Sequence, residues 1–481
     1  MTDRTQHDLI FRGALVVDGS GNTPVVADLA ISDDRISGLG DLSEHRAGTV
    51  VDARGRALAP GFIDAHCHDD GELITGPLLT PKISQGVTTV VNGNCGISLA
   101  PTPAGLPPGP PPLNLVSRDG SHRFERFADY FAALTQDPAA VNSVCLAGHT
   151  SLRHAAMTDL NQSANNSELT EMSRLLDEAM SDGAIGMSTG TYYPPAAAAS
   201  TDELIALSKV MASHNGLYVT HMRDEANDIH LSLEETFRIG SEAGVRVIIS
   251  HHKCVGSPNF GRSVETLAAI DTAAQGQTVW LDAYPYAASS TILQADRVQK
   301  ATRVMVTWSS VMPEATGRDL AELAHEMNCS PVEAAERLMP GGAIYFQMDE
   351  ADVQRILSHE HTMIGSDGII GDQHPHPRAW GSFPRVLGHY SRDLGLFSLQ
   401  EAVRKMTSLP ANRFGMTDRG LLQVGAFADV VLFDPAVIID SATFEQPAQP
   451  AAGIETVLVN GRRVWDAGSA TGARPGRVLH A

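Results

Sequence analysis

Eight short apolar runs punctuate residues 59–414, and most are separated by stretches of helical period. They lie near 62–64, 88–91, 141–147, 184–189, 217–220, 245–250, 279–283 and 362–366. Almost unbroken Val, Ile, Leu and Ala marks strands buried on both faces, as in a parallel sheet covered by helices. Between them, Leu169, Met172, Leu175, Leu176 and Ala179 recur at helical spacing. Ser200-Thr201-Asp202-Glu203 spells a capping box, and a helix over 232–243 is stopped by Gly244. Eight strand–helix units predict an α/β fold, a closed (β/α)8 barrel of the TIM type. A doubly wound open sheet is the alternative. The barrel is favoured because polar residues collect where the strands end, the face at which barrels carry their sites.

Two departures from this rhythm set the expected domains. Residues 8–58 and the stretch after 415 are short Val/Ile/Leu runs broken by Gly, Asp and Asn, without helical period. They predict one small β-sandwich or β-barrel domain built from 1–58 and 415–481, flanking a catalytic barrel over 59–414. Almost 80 residues separate the seventh run from the eighth, far more than a βα connection needs. GRDLAELAHEM and PVEAAERLM look helical within it, so an insertion over 286–346 is expected, either a lid on the catalytic face or a stabilising decoration elsewhere. PTPAGLPPGPPP after the second run is too rich in proline for regular structure.

The formal net charge of −21 argues against nucleic-acid or anionic-membrane partners, which need a basic face. No apolar run approaches the roughly 20 residues of a membrane span, and the first residues lack a signal-peptide core. The five cysteines, Cys67, Cys95, Cys145, Cys254 and Cys329, are scattered and form no CxxC pair. A reducing cytoplasm is therefore expected; the partner expected is a small-molecule substrate, with the chain a monomer or small homo-oligomer.

Ligand-type side chains sit at the strand ends. In APGFIDAHCHDD, alternation sends His66 and His68 to one face and Cys67 to the other. Cys95 follows the second strand, His221 the fifth, His251 the sixth and Asp367 the eighth. Each has a bland reading alone: a small buried thiol, a core imidazole, a turn aspartate in GSDG. Together, at one face, they predict a site for Zn²⁺, which takes nitrogen, sulfur and oxygen donors. Of His251 and His252 only one can face inward, and His149 is ranked as a supporting or core histidine. Zn²⁺ lowers the pKa of a bound water from about 16 to about 7 and polarises a carbonyl. A carboxylate beside it, naturally Asp367, takes the water's proton and passes it to a leaving nitrogen. That is machinery for cleaving an amide.

HxH after the first strand, histidines ending strands five and six, and aspartate ending strand eight resemble the amidohydrolase superfamily, as do VVDGSG, APGFID and GLLQVGAFADVVLFD on either side. TPKISQGVTTVVNGNCGISLAP, GAIGMSTGTYYPP, THMRDE, ISHHK, DAYPY, MIGSDG and HPRAWGSFPRVLGHY resemble its N-acyl-D-amino-acid deacylase branch along nearly the whole chain. Most superfamily members bridge two metals with a carboxylated lysine or a glutamate from strand four, and AIGMST offers neither. The resemblance instead implies a tightly held zinc on Cys95, His221 and His251, with a second, weaker site at His66, His68 and Asp367. HCHDD stands where HTHDD is expected, with Cys67 pointing away.

The resemblance further implies that Lys253, Tyr284, Ser289 and Arg378 grip the substrate carboxylate. Lys253 is expected on the same strand face as His251. Arg223 is a further candidate, with pairing to Asp224 or Glu225 as its alternative. Tyr192 and Tyr193 are expected to line the side-chain pocket, and Arg297 reaches an acidic substrate side chain if the insertion folds inward. The expected activity is zinc-dependent hydrolysis of N-acyl-D-amino acids to a carboxylate and a free D-amino acid. The alternatives are a cyclic-amide hydrolase of hydantoin or dihydropyrimidine type, disfavoured by the missing strand-four lysine, and a non-catalytic assembly barrel, disfavoured by six intact ligands.

Overall fold

The fold, a computed structural model, is described over residues 6–117 and 122–480; the polar start read from residues 1–5 lies outside the described residues. It is of mixed α/β type. Strands from both chain ends interleave in one nine-stranded sheet. Ala57–Pro60 runs parallel to Gln6–Val16 and antiparallel to Val430–Phe433, which continues into Ile454–Val459 and Arg462–Asp466. Alternation in these central strands divides their side chains between two cores. Leu58, Val430 and Leu432 join Phe11, Leu29 and Ile31, whereas Ala57, Ala59, Val431 and Phe433 join the main core.

The eight apolar runs are parallel strands: β1 Phe62–Asp64, β2 Val87–Asn92, β3 Asn142–Cys145 (continued by Ala147–Gly148), β4 Gly186–Gly190, β5 Leu217–His221, β6 Arg246–Ile249, β7 Val279–Ala283 and β8 Thr362–Ile364. Each pairs in parallel with the next through β7, and β7 pairs in parallel with β8. The first and last are also joined. Ala65 N–H donates to the Ile364 carbonyl at 3.2 Å and Asp367 N–H to the His66 carbonyl at 2.7 Å. Fully buried Lys82 ties the same junction, donating to Asp64 at 2.7 Å and Ser366 at 2.9 Å.

Helices cover the strands as the periodicity predicts. Asn166–Asp182 buries Met172, Leu175, Leu176, Ala179 and Met180, each of the Met and Leu side chains contributing roughly 1.5–3 kcal/mol. Its Asn165 and Glu168 form a full capping box, and Gly183 ends it with φ of 115°. The box read at Ser200 is only half formed: Ser200 accepts from Glu203 N–H, while the Glu203 carboxylate turns inward to Arg153. The insertion is a unit with its own core. Ala288–Ile292, Gly341–Phe346 and Arg303–Ser309 form an antiparallel sheet, packed by Leu320–Glu326 and Pro331–Leu338 around Val306, Leu323, Leu338 and Tyr345. Among the described residues, no helix is long and apolar enough to cross a membrane.

Candidate metal centre

Cys95 is placed by the turn that ends β2. Gly93 has φ of 76°, and a Cβ there would lie 2.0 Å from the Leu146 carbonyl oxygen, so only glycine fits. Cys95 itself is left-handed at φ 52°, as are His251 at 36° and Asp367 at 48°. Non-glycine residues rarely adopt this conformation, and here it turns three side chains into one place. The Cys95 Sγ lies 3.3 Å from His66 Nε2, 3.3 Å from His251 Nε2 and 3.7 Å from His221 Nδ1. Two donor groups result, Cys95–His221–His251 and His66–His68–Cys95–Asp367, each with its ligand atoms within 4.8 Å of one another. Cys95 therefore adjoins both, where the sequence reading gave it to one. Cys67 points away, its Sγ against the Val91 carbonyl and the Asn92 side chain.

The electrostatics favour ionised ligands. Burial pushes the Cys95 thiol up, but His66, His251 and His221 outweigh it and hold the thiol well below its ordinary range. Burial likewise opposes ionisation of Asp367, and the Arg378 guanidinium, 2.8 Å from Oδ2, more than reverses it. Burial lowers His68, yet its contact with Asp367 at 3.3 Å carries it up to about 9.

A second layer of carboxylates orients these groups, and sequence reasoning missed it. Glu225 lies 3.1 Å from His251 Nδ1 and 3.7 Å from His221 Nε2, leaving the opposite nitrogen of each ring to face Cys95. Asp282 accepts from His251 N–H at 2.8 Å and lies 3.4 Å from His66 Nδ1. The signal for Glu225 was its place four residues after His221 in THMRDE, where it was read only as an alternative partner for Arg223.

The expected substrate residues divide. Lys253 and Ser289 line one cavity together with His68, Cys95, Tyr193, His221, His251, Arg297 and Asp367. Lys253 is not on a strand with His251: β6 ends at Ile249 and the chain turns, placing Nζ 2.6 Å from Glu225 and 2.7 Å from His251 Nδ1. Arg378 is fully buried behind Asp367, and its Nη2 donates to the Ser290 carbonyl at 3.0 Å. Tyr284 packs under that arginine, 4.5 Å from ring centroid to guanidinium, with its hydroxyl toward Met348. Neither lines the cavity. Arg223 lies elsewhere, bound to both oxygens of Glu235 and to the Ala197 and Ala199 carbonyls, because that carboxylate is in reach on the neighbouring helix. Tyr192 stacks on His221, with ring centroids 5.6 Å apart.

His149 is structural. It lies 2.9 Å from Glu203, whose two oxygens also receive Arg153 Nη1 at 2.6 and 2.8 Å. Burial raises the Glu203 pKa, but His149 and Arg153 overcome it and bring it down to about 2. A depressed carboxylate contributes stability above its unfolded pKa and loses it as pH falls through the folded value. Glu203→Gln leaves the fully buried Arg153 uncompensated and is expected to cost about 3 kcal/mol at pH 7. Thermal melts should show the wild-type advantage shrinking between pH 4.5 and about 2. A difference constant across that window would assign the loss to packing instead.

An amidohydrolase family profile matches residues 49–287 and 260–465. The chain belongs to the amidohydrolase family. Within it, the chain is 55% identical over 478 residues to the D-aminoacylase of Alcaligenes xylosoxydans xylosoxydans, covering 99% of this chain and 98% of that one. A solved D-aminoacylase, studied for its binuclear metal centre with one-metal activation and second-metal attenuation, superposes with a TM-score of 0.96 at 54% identity, over 99% of this chain and all of that one. The N-acyl-D-glutamate deacylase of Bordetella bronchiseptica, solved with zinc and a phosphonate mimic of the tetrahedral intermediate, gives a TM-score of 0.95 at 44% identity, over 99% and 100% of the two chains.

Proposed function

We propose that this protein is a zinc-dependent hydrolase that cleaves N-acyl-D-amino acids to a carboxylate and a free D-amino acid. The observation that carries the reading is the convergence of Cys95 Sγ, His221 Nδ1 and His251 Nε2 beside Asp367, on the wall of one cavity. The donors fit zinc. Bond lengths of about 2.3 Å to sulfur and 2.0–2.1 Å to nitrogen set S···N edges near roughly 3.6 Å in a tetrahedron. The observed 3.3 and 3.7 Å bracket that value. His66, His68 and Asp367, with Cys95 adjoining, form the second, weaker site. Zinc bound here supplies an acidified water and a polarised acyl carbonyl.

The chain's residues do the rest. Glu225, 3.1 Å from His251 Nδ1, leaves Nε2 as the nitrogen that His251 presents, and its charge lies 3.7 Å from His221 Nε2. Asp367, kept ionised by Arg378, accepts the proton of the attacking water and returns it to the leaving amide nitrogen, so that water and amide become acid and amine. Lys253 and Ser289 take the α-carboxylate at the cavity wall, while Tyr284 and Arg378 act from behind, on Lys253 and Asp367. The eight parallel strands, joined first to last, support a closed (β/α)8 barrel over 59–414. The interleaved sheet supports a β-domain from 1–58 and 415–481. The insertion over 286–346 contributes Ser289, Ser290, Thr291 and Arg297 to the cavity and is read as part of the site. A thiolate ligand suits a reducing, cytoplasmic setting.

The test is amine release from the N-acetyl derivatives of D-methionine, D-aspartate and D-glutamate, from their L enantiomers, and from dihydrouracil. Turnover confined to the D series is expected. Equal turnover of the L series, or of dihydrouracil alone, would sink the reading.

A further inference from the structure

We infer that Lys82 is a positioning residue, holding His66, His68 and Asp367 in register with one another while the donor group of Cys95, His221 and His251 is held by other residues; the inference rests on the deacylase reading above for its rate and on the donor geometry for its metal. The mechanism has no proton or bond for this lysine to carry. It lies on the four-residue helix Thr80–Ile83 that leads into β2, and it is fully buried. Its Nζ reaches the neighbours of the ligands: Asp64 Oδ2 at 2.7 Å, Asp69 Oδ2 at 3.2 Å and Ser366 Oγ at 2.9 Å. Asp64 stands two residues before His66, Asp69 one after His68, and Ser366 one before Asp367. One ammonium thus pins both ends of the segment that carries the two histidines and the start of the turn that carries Asp367.

From these three anchors the links run on to the ligands. Asp64 Oδ1 accepts from the Ser366 N–H at 2.7 Å and from the His66 N–H at 3.3 Å. Asp367 N–H donates to the His66 carbonyl at 2.7 Å, and His68 N–H to the Gly368 carbonyl at 3.1 Å. The Ser366 hydroxyl gives its one proton to Asp64 Oδ2 at 2.6 Å and accepts from Gly368 N–H at 3.0 Å. It can therefore only accept from Lys82, which supplies the donor that closes the ring. A Cβ on Gly368 would lie 2.9 Å from Ser366 Oγ and 3.2 Å from Lys82 Nζ, so the ammonium packs directly against the residue that follows Asp367.

The other donor group is oriented differently. Glu225 lies against His251 and His221, and Asp282 takes the His251 N–H and lies 3.4 Å from His66 Nδ1. A buried ammonium is costly to keep, and well-packed apolar residues serve a fold as well or better. What they cannot supply is several donors diverging from one atom toward acceptors on two distant chain segments, each of which carries ligands of the same donor group.

The experiment uses the zinc-loaded chain and its Lys82→Met and Ser366→Ala variants. It reads zinc per chain, the Kd for a second zinc by titration, kcat and KM on the N-acetyl-D-amino acid that the wild type turns over best, circular dichroism and melting. Both variants should keep one tight zinc, bind the second roughly 10–100-fold more weakly, and lose about tenfold or more in kcat with KM within about twofold. A lowered melting temperature with both zinc affinities and kcat at wild-type values would make Lys82 a stabilising ion pair only and overturn the inference. So would loss of the tight zinc in step with the second, since the lysine would then support the whole site alike. Should Lys82→Met fail to fold, Ser366→Ala decides, because it removes one link and leaves no charge unpaired. If no N-acyl-D-amino acid is turned over, the deacylase reading falls, and the second-zinc Kd alone decides the role of Lys82.

Discussion

Replacing Cys95 by alanine should empty the tight site and abolish most turnover. The sulfur lies within 3.7 Å of three imidazole nitrogens and belongs to both donor groups. Without it, His221 and His251 remain as a two-point site, too few for a closed zinc polyhedron. Loss of an outer-layer partner alone typically costs roughly 10–100-fold in metal affinity or activity, and removal of the shared thiolate should exceed that. Elemental analysis of Cys95→Ala should give zinc well below one per chain, with a far-ultraviolet spectrum like the wild type. A variant that keeps its full zinc would place the ligands elsewhere.

Asp367→Asn should behave in the opposite way, holding zinc while losing the rate. The amide preserves the shape of the carboxylate and can still accept from Arg378, so the pocket stays filled. It cannot take a proton from water at neutral pH. General acid–base groups are worth roughly 10²–10⁴-fold, and a fall of that size in kcat is expected, with the metal content maintained. Zinc-replete Asp367→Asn with wild-type kcat would remove Asp367 as the proton carrier.

Much of this site could be read from spacing. His66, His68, Cys95, His221, His251 and Asp367 each follow an apolar run, and parallel strands bring their ends to one face. Less visible was what holds them. Glu225 and Asp282 are ordinary acidic residues in the sequence, and which buried carboxylate meets which imidazole depends on turns that periodicity does not encode. The left-handed turns at Cys95, His251 and Asp367 were likewise hidden, because none of the three is a glycine. Short-range reasoning was incomplete at two residues: Glu203 was read as part of a capping box and is also the counter-ion of Arg153, and Arg223, read as a substrate candidate or a partner of Asp224 or Glu225, is matched by the more distant Glu235. Arg297 was legible only as a conditional, since its reach depends on how the insertion folds.

The sheet shared by the two chain ends constrains biosynthesis. Ala57–Pro60 waits for Val430–Phe433, some 370 residues later, before its second edge is filled. At about 5–20 residues per second on the ribosome, that delay is roughly 20–70 s. Over this interval the nascent amino-terminal strands expose an open hydrogen-bonding edge to a crowded cell, so the yield of soluble enzyme should track chaperone supply and translation speed more closely than the thermodynamic stability of the finished protein.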